Sequence, residues 1–551
     1  MSKWSTARSY AAVTDWKYAD VFEAIAAAVP HRPCQVCGDR TITWREFDRR
    51  AGALAADLVA GGLGHQAKVA CYLYNGVEYL EVVVAAFKAA MVPVNTNFRY
   101  GPDEIVYLFD NADVEAVVFH ASFGELLDAI RDRLPGVKRW HVVPDASGQG
   151  PDWAAPYEAV VESGAAAPDV TRSGDDLLLL YTGGTTGIPK GVMWRQDDLF
   201  NVLGAGGNPF AGTGPAADIA EVVARVASAE SPPVMLVACP LMHGTGQFSA
   251  LIAMTGGGTV VSLANRRFDA AELFETVERH RATNVVIVGQ AFAGPMLEHL
   301  DAATGRYDLT SVLVISSSGV MWSHDNKQGL LRHMPQAILF DSFGSSEAVG
   351  LGASVSAAGA AEETARFGIT ENNAVFTDAG SRVEPGSGEI GMVAVGGFLP
   401  VGYYKDDAKS AATFRVIDGR RWSIPGDFAT VNADGTIHLL GRGSVCINTG
   451  GEKVFPEEVE EVLKTHPTVR DAVVVGVPDD RFGEAIVGVV EPADGNTSVD
   501  ADALRSHVSG HLASYKAPRR ILVVDSIGRA ANGKVDYKRI KAEATAALAQ
   551  R

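Results

Sequence analysis

Short apolar runs alternate with helical patterns between residues 20 and 170, and this alternation limits the fold more than any other feature. Residues 44–60 and 78–90 have the apolar spacing of helices, while residues 68–74 and 114–120 read as buried strands. A second series of strand-like runs, separated by helices, follows at residues 234–238, 258–263, 284–288 and 311–315. Such alternation is typical of largely parallel sheets with helices on both faces, so we predict two doubly wound α/β subdomains.

The pattern of apolar residues changes beyond residue 388. Short alternating runs punctuated by glycine, at residues 391–395 and 436–440, predict a small antiparallel β-barrel-like subdomain. A compact α+β pattern then follows, with helices predicted at 456–464 and 502–512 and strands at 471–476 and 520–524. A chain of 551 residues is too long to fold around a single hydrophobic core. We therefore predict a large N-terminal domain, residues 1–442, and a small mobile C-terminal domain, residues 443–551.

Composition and charge exclude several classes of protein. The chain has 48 Lys and Arg and 66 Asp and Glu, a net charge of −18, so it lacks the excess of positive charge that is typical of nucleic-acid-binding proteins. Five cysteines suit a reducing compartment, and the role of the Cys34-x-x-Cys37 pair is left open. The apolar run 82–94 is interrupted by Lys88 and Pro93, so no transmembrane segment is expected. We expect a cytoplasmic protein, and the sequence leaves a homodimer open.

Residues 181–192 read Tyr-Thr-Gly-Gly-Thr-Thr-Gly-Ile-Pro-Lys-Gly-Val and carry the clearest functional signal. Glycines, threonine hydroxyls and the cation of Lys190 converge on one loop after an apolar strand, an arrangement that suits a polyphosphate. The loop is not a Walker A motif, because Lys190 follows Ile188-Pro189 and precedes Gly191. The alternative is a simple Gly/Thr-rich turn. We favour an ATP-binding loop.

Further segments occur in a fixed order along nearly the whole chain. They are Leu-Met-His-Gly at 241–244, Asp-Ser-Phe-Gly-Ser-Ser-Glu at 341–347, Trp-Ser-Ile-Pro-Gly-Asp at 422–427, Gly-Arg at 441–442 and Asn-Gly-Lys at 532–534. Together with the loop they resemble the signatures of the adenylate-forming enzymes, which include acyl-CoA synthetases, adenylation domains of peptide synthetases and firefly-type luciferases. The resemblance implies a carboxylic acid activated by ATP to an acyl-adenylate, with CoA as acceptor and Mg2+ as cofactor.

The resemblance also assigns roles to individual residues. ATP-binding positions are Thr182, Gly183, Gly184, Thr185, Thr186, Lys190, Asp341, Ser342, Phe343, Ser346, Asp427 and Arg442. Glu347 is expected to bind Mg2+, and Lys534 to neutralise the acid carboxylate and the α-phosphate together. His243 is expected to edge the acyl pocket. Each has an ordinary alternative: a surface charge for Glu347, Arg442 and Lys534, a turn residue for Asp427, and a core residue for Phe343 and His243.

The CoA site and the hinge are inferred in the same way. Gly450, Gly451 and Glu452 match the loop that lines the pantetheine tunnel after the C-terminal domain rotates. The family usually has Asp or Lys as the pivot two residues after the position of Arg442. This chain has Ser444 there, beside Gly443, a pair that can still absorb a backbone rotation.

The expected acyl pocket is wide. Its predicted wall consists mostly of small residues around one aromatic: His243, Gly244, Gln247, Gly289, Phe292, Ser318, Gly319 and Val320. Residues 190–195 and 441–454 are similar to actinobacterial acyl-CoA synthetases that act on steroid side-chain carboxylates. We expect a bulky steroid-type or medium-to-long-chain acid. An ordinary fatty acid, a carrier protein loaded by a stand-alone adenylating enzyme, a luciferase-like oxidase and a catalytically inactive nucleotide binder are the alternatives.

Overall fold

The computed structural model describes residues 14–182, 189–208, 212–360, 362–449, 452–479, 483–493, 499–512, 514–530 and 533–549. Up to residue 202 the helices are α1 Tyr18–Ala28, α2 Trp44–Ala60, α3 Val77–Lys88, α4 Pro102–Asn111, α5 Gly124–Ile130, α6 Tyr157–Val161 and α7 Gln196–Val202. The strands there are β1 Pro33–Cys37, β2 Arg40–Thr43, β3 Lys68–Tyr72, β4 Val92–Asn95, β5 Val114–His120, β6 Arg139–Val143, β7 Ala155–Pro156, β8 Leu177–Thr182 and β9 Lys190–Arg195.

The next part of the chain repeats the alternation of strands and helices. Its helices are α8 Ile219–Ser228, α9 Gly244–Thr255, α10 Ala270–His280, α11 Gln290–Ala302 and α12 His324–His333. Its strands are β10 Val234–Val237, β11 Thr259–Ser262, β12 Asn284–Ile287, β13 Val314–Ser318, β14 Ile338–Ser345 and β15 Ala348–Ser356.

Strands predominate in the stretch that follows, up to the short 3-10 turn Gly443–Val445. The strands are β16 Arg366–Phe367, β17 Asn373–Phe376, β18 Gly391–Val395, β19 Gly402–Tyr403, β20 Phe414–Ile417, β21 Arg420–Ser423, β22 Asp427–Val431 and β23 Ile437–Arg442, with α13 Asp407–Thr413 after β19. Beyond the turn come β24 Ile447–Thr449, β25 Glu452–Val454, α14 Pro456–Lys464, β26 Val469–Asp479, β27 Gly483–Pro492, α15 Ala501–His511, β28 Arg520–Val523 and α16 Tyr537–Ala549.

Two mainly parallel sheets form the bulk of the described structure. One has the strand order β19-β9-β8-β4-β3-β5-β6-β7, and the other β15-β14-β13-β12-β10-β11-β1-β2. Helix α3 contacts strands of both sheets. It is therefore buried on every side, and even the ammonium of Lys88 is enclosed, paired with Glu23 at 2.6 Å and Asp48 at 2.8 Å.

The remaining strands form two smaller sheets. Strands β16, β23, β22, β18, β21 and β20 follow one another in an antiparallel sheet, with β17 paired to β18. Strands β25, β24, β27 and β26 form another, with β28 parallel to β27 and helices α14 and α16 packed on β26. The predicted fold class, two doubly wound α/β subdomains, a small antiparallel subdomain and a C-terminal α+β unit, is confirmed.

The strand order shows how distant segments complete each sheet. Strands β1 and β2 precede the first sheet in sequence but belong to the second, where β1 pairs with β11. Strand β19 pairs with β9, so that Gly402 lies opposite Met193 and Tyr403 opposite Val192. Among the described residues, no helix is long and apolar enough to cross a membrane.

Candidate active site

The predicted phosphate loop is anchored at both ends by a pair of antiparallel strands. Thr182, the last residue of β8, lies opposite Lys190, the first residue of β9. Gly183, Gly184, Thr185 and Thr186 lie outside the described residues.

Buried Asn95, at the end of β4, ties this strand pair to the segment before α9. Its side-chain amide donates to the carbonyls of Tyr181 (2.9 Å) and Met242 (2.7 Å), and its oxygen accepts from the Tyr181 N–H. The start of the loop and the neighbour of His243 are therefore held by one side chain.

The predicted metal ligand, Glu347, lies between β14 and β15. Its carboxylate Oε1 accepts from the Tyr403 hydroxyl at 2.9 Å, and its main-chain carbonyl accepts from Ser423 Oγ at 2.7 Å. The carbonyl of the preceding residue, Ser346, accepts from the buried Trp194 indole at 2.9 Å. The backbone and the carboxylate of Glu347 are thus both positioned by other strands.

Strand β14 also carries the other predicted residues of this segment. Asp341 is buried and pairs with the buried ammonium of Lys327 at 3.0 Å. Burial raises the pKa of Asp341, and the nearby Lys327 charge opposes that rise. Ser342 is half-buried, and the ring of Phe343 packs 5.4 Å from that of Phe367. Asp341 stays a predicted ATP-binding residue, and in this structure its carboxylate pairs with Lys327.

Asp427 and Arg442 are directly opposite residues of β22 and β23. Arg442 Nε donates to Asp427 Oδ1 at 3.0 Å, and the negative charge of Asp427 raises the pKa of Arg442 further above its usual value. The second carboxylate oxygen, Asp427 Oδ2, is buried and has no hydrogen-bond partner in the described structure. A buried carboxylate oxygen normally accepts a hydrogen bond, so this atom is suited to receive one from a ligand hydroxyl.

Lys534 brings the C-terminal part of the chain to this site. Its side chain is accessible to solvent, but protein atoms displace part of the water around its ammonium, and this desolvation lowers its pKa. The positive charge of Arg442 lowers the pKa further, whereas the negative charges of Glu347 and Asp427 raise it. His243 is close enough for the charge of Lys534 to act on it. Burial first, and then the charges of Lys534 and Arg99, lower the pKa of His243 to about 3, so its imidazole is neutral at neutral pH.

The predicted acyl-wall residues lie at the carboxyl ends of β12 and β13 and at the starts of α9 and α11. Gly289 has φ +48°, and a Cβ there would lie 2.3 Å from the Val320 carbonyl, so only glycine allows this approach. Gly319, which follows Ser318, lies near Val288 and Thr245. His243 and Gly244 begin α9.

Two predicted wall residues are more deeply buried. Phe292 is 2% exposed, and its ring packs 4.6 Å from that of Phe268. Gln247 is also 2% exposed, and its Oε1 has no hydrogen-bond partner in the described structure. Both remain predictions as wall residues.

The C-terminal segment touches this wall directly. A Cβ at Gly533 would lie 2.6 Å from the Ala291 Cβ and 3.4 Å from a Val320 methyl. The residue before Lys534 is therefore packed against α11 and the loop after β13.

The predicted hinge follows β23. Ser444 is the central residue of the turn Gly443–Val445. Two hydrogen bonds hold the backbone just before it. The N–H of Gly443 donates to the Gly426 carbonyl, and the N–H of Arg442 donates to the carboxylate of Glu457 in α14 at 3.3 Å. Of the predicted CoA residues, Gly450 and Gly451 lie outside the described residues, and Glu452 begins β25.

Sequence reasoning missed several residues that hold the site. Tyr403 and Asp406 contact Glu347 and Lys190, and Asn95 joins two of the predicted segments. The signal for Tyr403 and Asp406 is the run Gly-Tyr-Tyr-Lys-Asp at 402–406, where aromatic and charged residues follow a Pro-containing turn. Thr245, beside Gly319, was also missed, although it is next to the predicted Gly244.

Comparison with known proteins identifies the class. The model of the AMP-binding enzyme family matches residues 22–399, and that of the AMP-binding enzyme C-terminal domain matches residues 458–534. The chain belongs to the AMP-binding enzyme family. The predicted membership of the adenylate-forming enzymes is confirmed.

Relatives of similar length are CoA ligases. A medium/long-chain-fatty-acid–CoA/3-oxocholest-4-en-26-oate–CoA ligase of Mycobacterium tuberculosis is 40% identical over 534 residues, covering 96% of this chain and 96% of the relative. A 3-oxocholest-4-en-26-oate–CoA ligase of Rhodococcus rhodochrous is 40% identical over 536 residues, covering 94% of each. The predicted enzyme class, an AMP-forming acid–CoA ligase, is confirmed by these relationships.

Solved structures support the fold. The anthranilate CoA ligase AuaEII in complex with anthranoyl-AMP has a TM-score of 0.82 at 20% identity, over 98% of this chain and 99% of that one. A benzoate CoA ligase from Burkholderia xenovorans has a TM-score of 0.78 at 22% identity, over 96% of this chain and 100% of that one.

Proposed function

We propose that the enzyme joins a bulky steroid side-chain acid, or a medium-to-long-chain acid, to CoA in two half-reactions. In the first, a carboxylate oxygen bonds to the α-phosphorus of ATP and pyrophosphate leaves. In the second, the CoA thiolate bonds to the carbonyl carbon of the acyl-adenylate and AMP leaves. The observation that carries the proposal is the proximity of Lys534 to Arg442, Asp427 and Glu347, whose charges act on it; we call the place where these four residues meet the cleft.

The charges of the cleft suit the first half-reaction. The acid and the α-phosphate are both anionic and repel each other, so a cation between them lowers the barrier. We assign that role to Lys534. His243 is neutral at neutral pH and adds no charge beside the ammonium. We assign it to the edge of the acyl pocket.

The nucleotide is held by groups whose chemistry matches its parts. Asp427 Oδ2, buried without a partner, is the acceptor we assign to a ribose hydroxyl, and Arg442 fixes the orientation of that carboxylate through Oδ1. Thr182, Lys190 and the loop between them are assigned to the β- and γ-phosphates. Phe343 is assigned to the adenine face.

Glu347 fits a magnesium ion. Its carboxylate supplies the hard oxygen that Mg2+ prefers, and Tyr403 holds one of its two oxygens. Magnesium bound to ATP is commonly held by one or two carboxylates together with the phosphates, so no cluster of protein ligands is needed. When bound, the ion neutralises phosphate charge as pyrophosphate leaves.

The second half-reaction needs a different face of the C-terminal unit. In this structure Lys534 lies at the cleft, which is the arrangement we assign to adenylation. We propose that rotation near Ser444, at a domain boundary between residues 442 and 443, replaces it with the segment containing Gly450, Gly451 and Glu452. The separate sheet formed by β24 to β28 supports that boundary.

Two observations support the choice of acid. The relatives from Mycobacterium tuberculosis and Rhodococcus rhodochrous are named for 3-oxocholest-4-en-26-oate, and the first also for medium- and long-chain fatty acids. Gly319 adds no side chain to the predicted wall, where a Cβ would meet only Val288 and Thr245, at 3.8 and 3.9 Å. Each additional methylene buried there contributes roughly 0.8 kcal/mol to binding.

The test measures each half-reaction with the purified protein. ATP–pyrophosphate exchange should depend on the acid and not on CoA, and addition of CoA should consume the acyl-adenylate. A panel from acetate to palmitate, with benzoate, cholestenoate-type and cholate-type acids, is compared by kcat/KM. We expect the highest values with long or fused-ring acids. An optimum at acetate, propionate or benzoate would contradict the substrate proposal, and exchange with no acid would contradict the activity.

A further inference from the structure

One short segment, Gly402–Asp406, contacts both Lys190, which we assign to the phosphates, and Glu347, which we assign to magnesium. It enters the first sheet as β19, with the Tyr404 N–H donating to the Gly191 carbonyl at 2.8 Å. Because β19 lies beside β9, the segment is next to Lys190, although Lys190 and Asp406 are 216 residues apart in the sequence.

Asp406 is the ion-pair partner of Lys190. The ammonium lies 2.7 Å from Asp406 Oδ2 and 5.9 Å from the centre of the Tyr403 ring. Both charged side chains are partly exposed, 25% for Lys190 and 31% for Asp406. Water therefore screens the pair, and such pairs contribute little and exchange readily. The other oxygen of Asp406 accepts from the Lys409 N–H and caps α13, so the carboxylate itself is fixed.

Tyr403 is the hydrogen-bond partner of Glu347. Its ring is 4% exposed and packs 5.9 Å from that of Phe414, while its hydroxyl donates to Glu347 Oε1 at 2.9 Å. Because the buried ring is held in place by packing, its hydroxyl is a fixed hydrogen-bond donor to the carboxylate.

We propose that Tyr403 and Asp406 are positioning residues of the ATP site: Tyr403 aims Glu347 at the magnesium ion of MgATP, and Asp406 holds Lys190 until the triphosphate takes its place. This inference rests on the proposed function. The triphosphate competes with Asp406 for one ammonium, and the fixed carboxylate repels it. Removing the charge of Asp406 should therefore strengthen nucleotide binding, whereas removing the hydroxyl of Tyr403 should weaken only the binding that involves the metal.

The chain offers variants that change one interaction and little else. Asp406→Asn removes the charge and keeps an amide oxygen that can cap α13. Tyr403→Phe removes the hydroxyl and keeps the buried ring. Two neighbours serve as controls: Tyr404→Phe loses a hydroxyl that donates to Asp113 instead, and Asp407→Asn neutralises an exposed carboxylate in the next position.

The experiment is isothermal titration of each full-length variant with ATP, with and without Mg2+, together with KM and kcat for adenylation and a thermal melt. We expect Asp406→Asn to lower the Kd of ATP about two- to fivefold under both conditions. We expect Tyr403→Phe to raise the Kd of MgATP about tenfold and leave that of metal-free ATP unchanged. Both controls should match the unmodified protein.

The outcomes separate this inference from the proposed function. If the unmodified protein forms acyl-CoA but Asp406→Asn binds ATP no more tightly, Asp406 is not a competing counter-ion. If Tyr403→Phe weakens both forms of ATP equally, or melts earlier without any metal-specific effect, Tyr403 has only a structural role. If the unmodified protein itself does not bind MgATP, the proposed function fails and this inference fails with it.

Discussion

Gly533→Ala should slow adenylation far more than thioester formation. Gly533 is buried, has φ +72°, and packs against Ala291 of α11. A Cβ at this position would lie 2.6 Å from the Ala291 Cβ, well inside the usual carbon–carbon contact of roughly 3.5–4.0 Å. Under the proposed rotation, the clash arises only in the orientation that places Lys534 at the cleft, because Ala291 belongs to the large N-terminal domain.

The expected magnitude has two parts. The left-handed backbone costs an added Cβ about 1–2 kcal/mol in any domain orientation. The cross-domain clash costs about 1–3 kcal/mol, the usual range for an extra carbon in a packed site, and only in the adenylation orientation. That second part corresponds to an about five- to 150-fold slower first half-reaction.

A matched variant isolates the second part. Gly528 also lies in the C-terminal unit with φ +65°, but a Cβ there would meet only the flexible end of Arg539, at 3.2 Å. Gly528→Ala should therefore bear the backbone cost alone. The assay compares ATP–pyrophosphate exchange with CoA-dependent consumption of supplied acyl-adenylate. Equal losses in both half-reactions for Gly533→Ala, or the same exchange rate for both variants, would refute the reasoning.

Three further changes test other parts of the site. Lys534→Ala should nearly abolish adenylation and spare CoA attack on supplied acyl-adenylate, with exposed Lys538→Ala as control; equal loss of both steps would oppose its assigned role. Ser444→Pro should slow thioester formation more than adenylation in stopped-flow assays, because proline fixes φ in the turn, while Ser444→Ala should not; an unimpaired second step would move the hinge elsewhere. Burial, and then the charge of the nearby Glu460, raise the pKa of Glu457 from 4.5 to about 8. Protonated Glu457 therefore stabilises the folded protein fully below pH 4.5, and this stabilisation is lost as the pH rises through about 8. Glu457→Gln should flatten that fall in thermal melts at pH 6 to 9, and an unchanged slope would contradict it.

Local patterns predicted many elements to the residue. The helices at 44–60 and 456–464 and the strands at 114–120 and 391–395 have the predicted bounds. Their apolar periodicity is continuous and their ends carry ordinary signals, such as Thr43, whose side chain accepts from the Glu46 N–H at the start of α2.

One strand shows where periodicity fails. The apolar pattern predicts a strand at residues 311–315, but β13 spans Val314–Ser318. The apolar residues Leu309 and Val312 are buried in the turn before it. The three serines that end β13 look like loop residues, but the carboxyl ends of parallel strands face the ligand cleft, where polar side chains are expected.

The site could be predicted only as far as its motifs. Resemblance led to Asp427, Arg442 and Lys534, which the structure brings together. The contacts of Tyr403 and Asp406 could not be found this way, because they arise when β19 joins a sheet whose other strands lie far earlier in the chain. No periodic pattern records such a pairing.

The late entry of β19 also has a consequence for synthesis on the ribosome. Lys190 is synthesised 216 residues before Asp406. At about 5–20 residues per second, Asp406 follows about 10–40 s later. Throughout that interval β9 has an unpaired edge and Lys190 lacks its carboxylate. A nascent chain of this enzyme therefore exposes a strand edge open to wrong pairing, and a chaperone that shields β9 would be needed longer than one that shields β3 or β4.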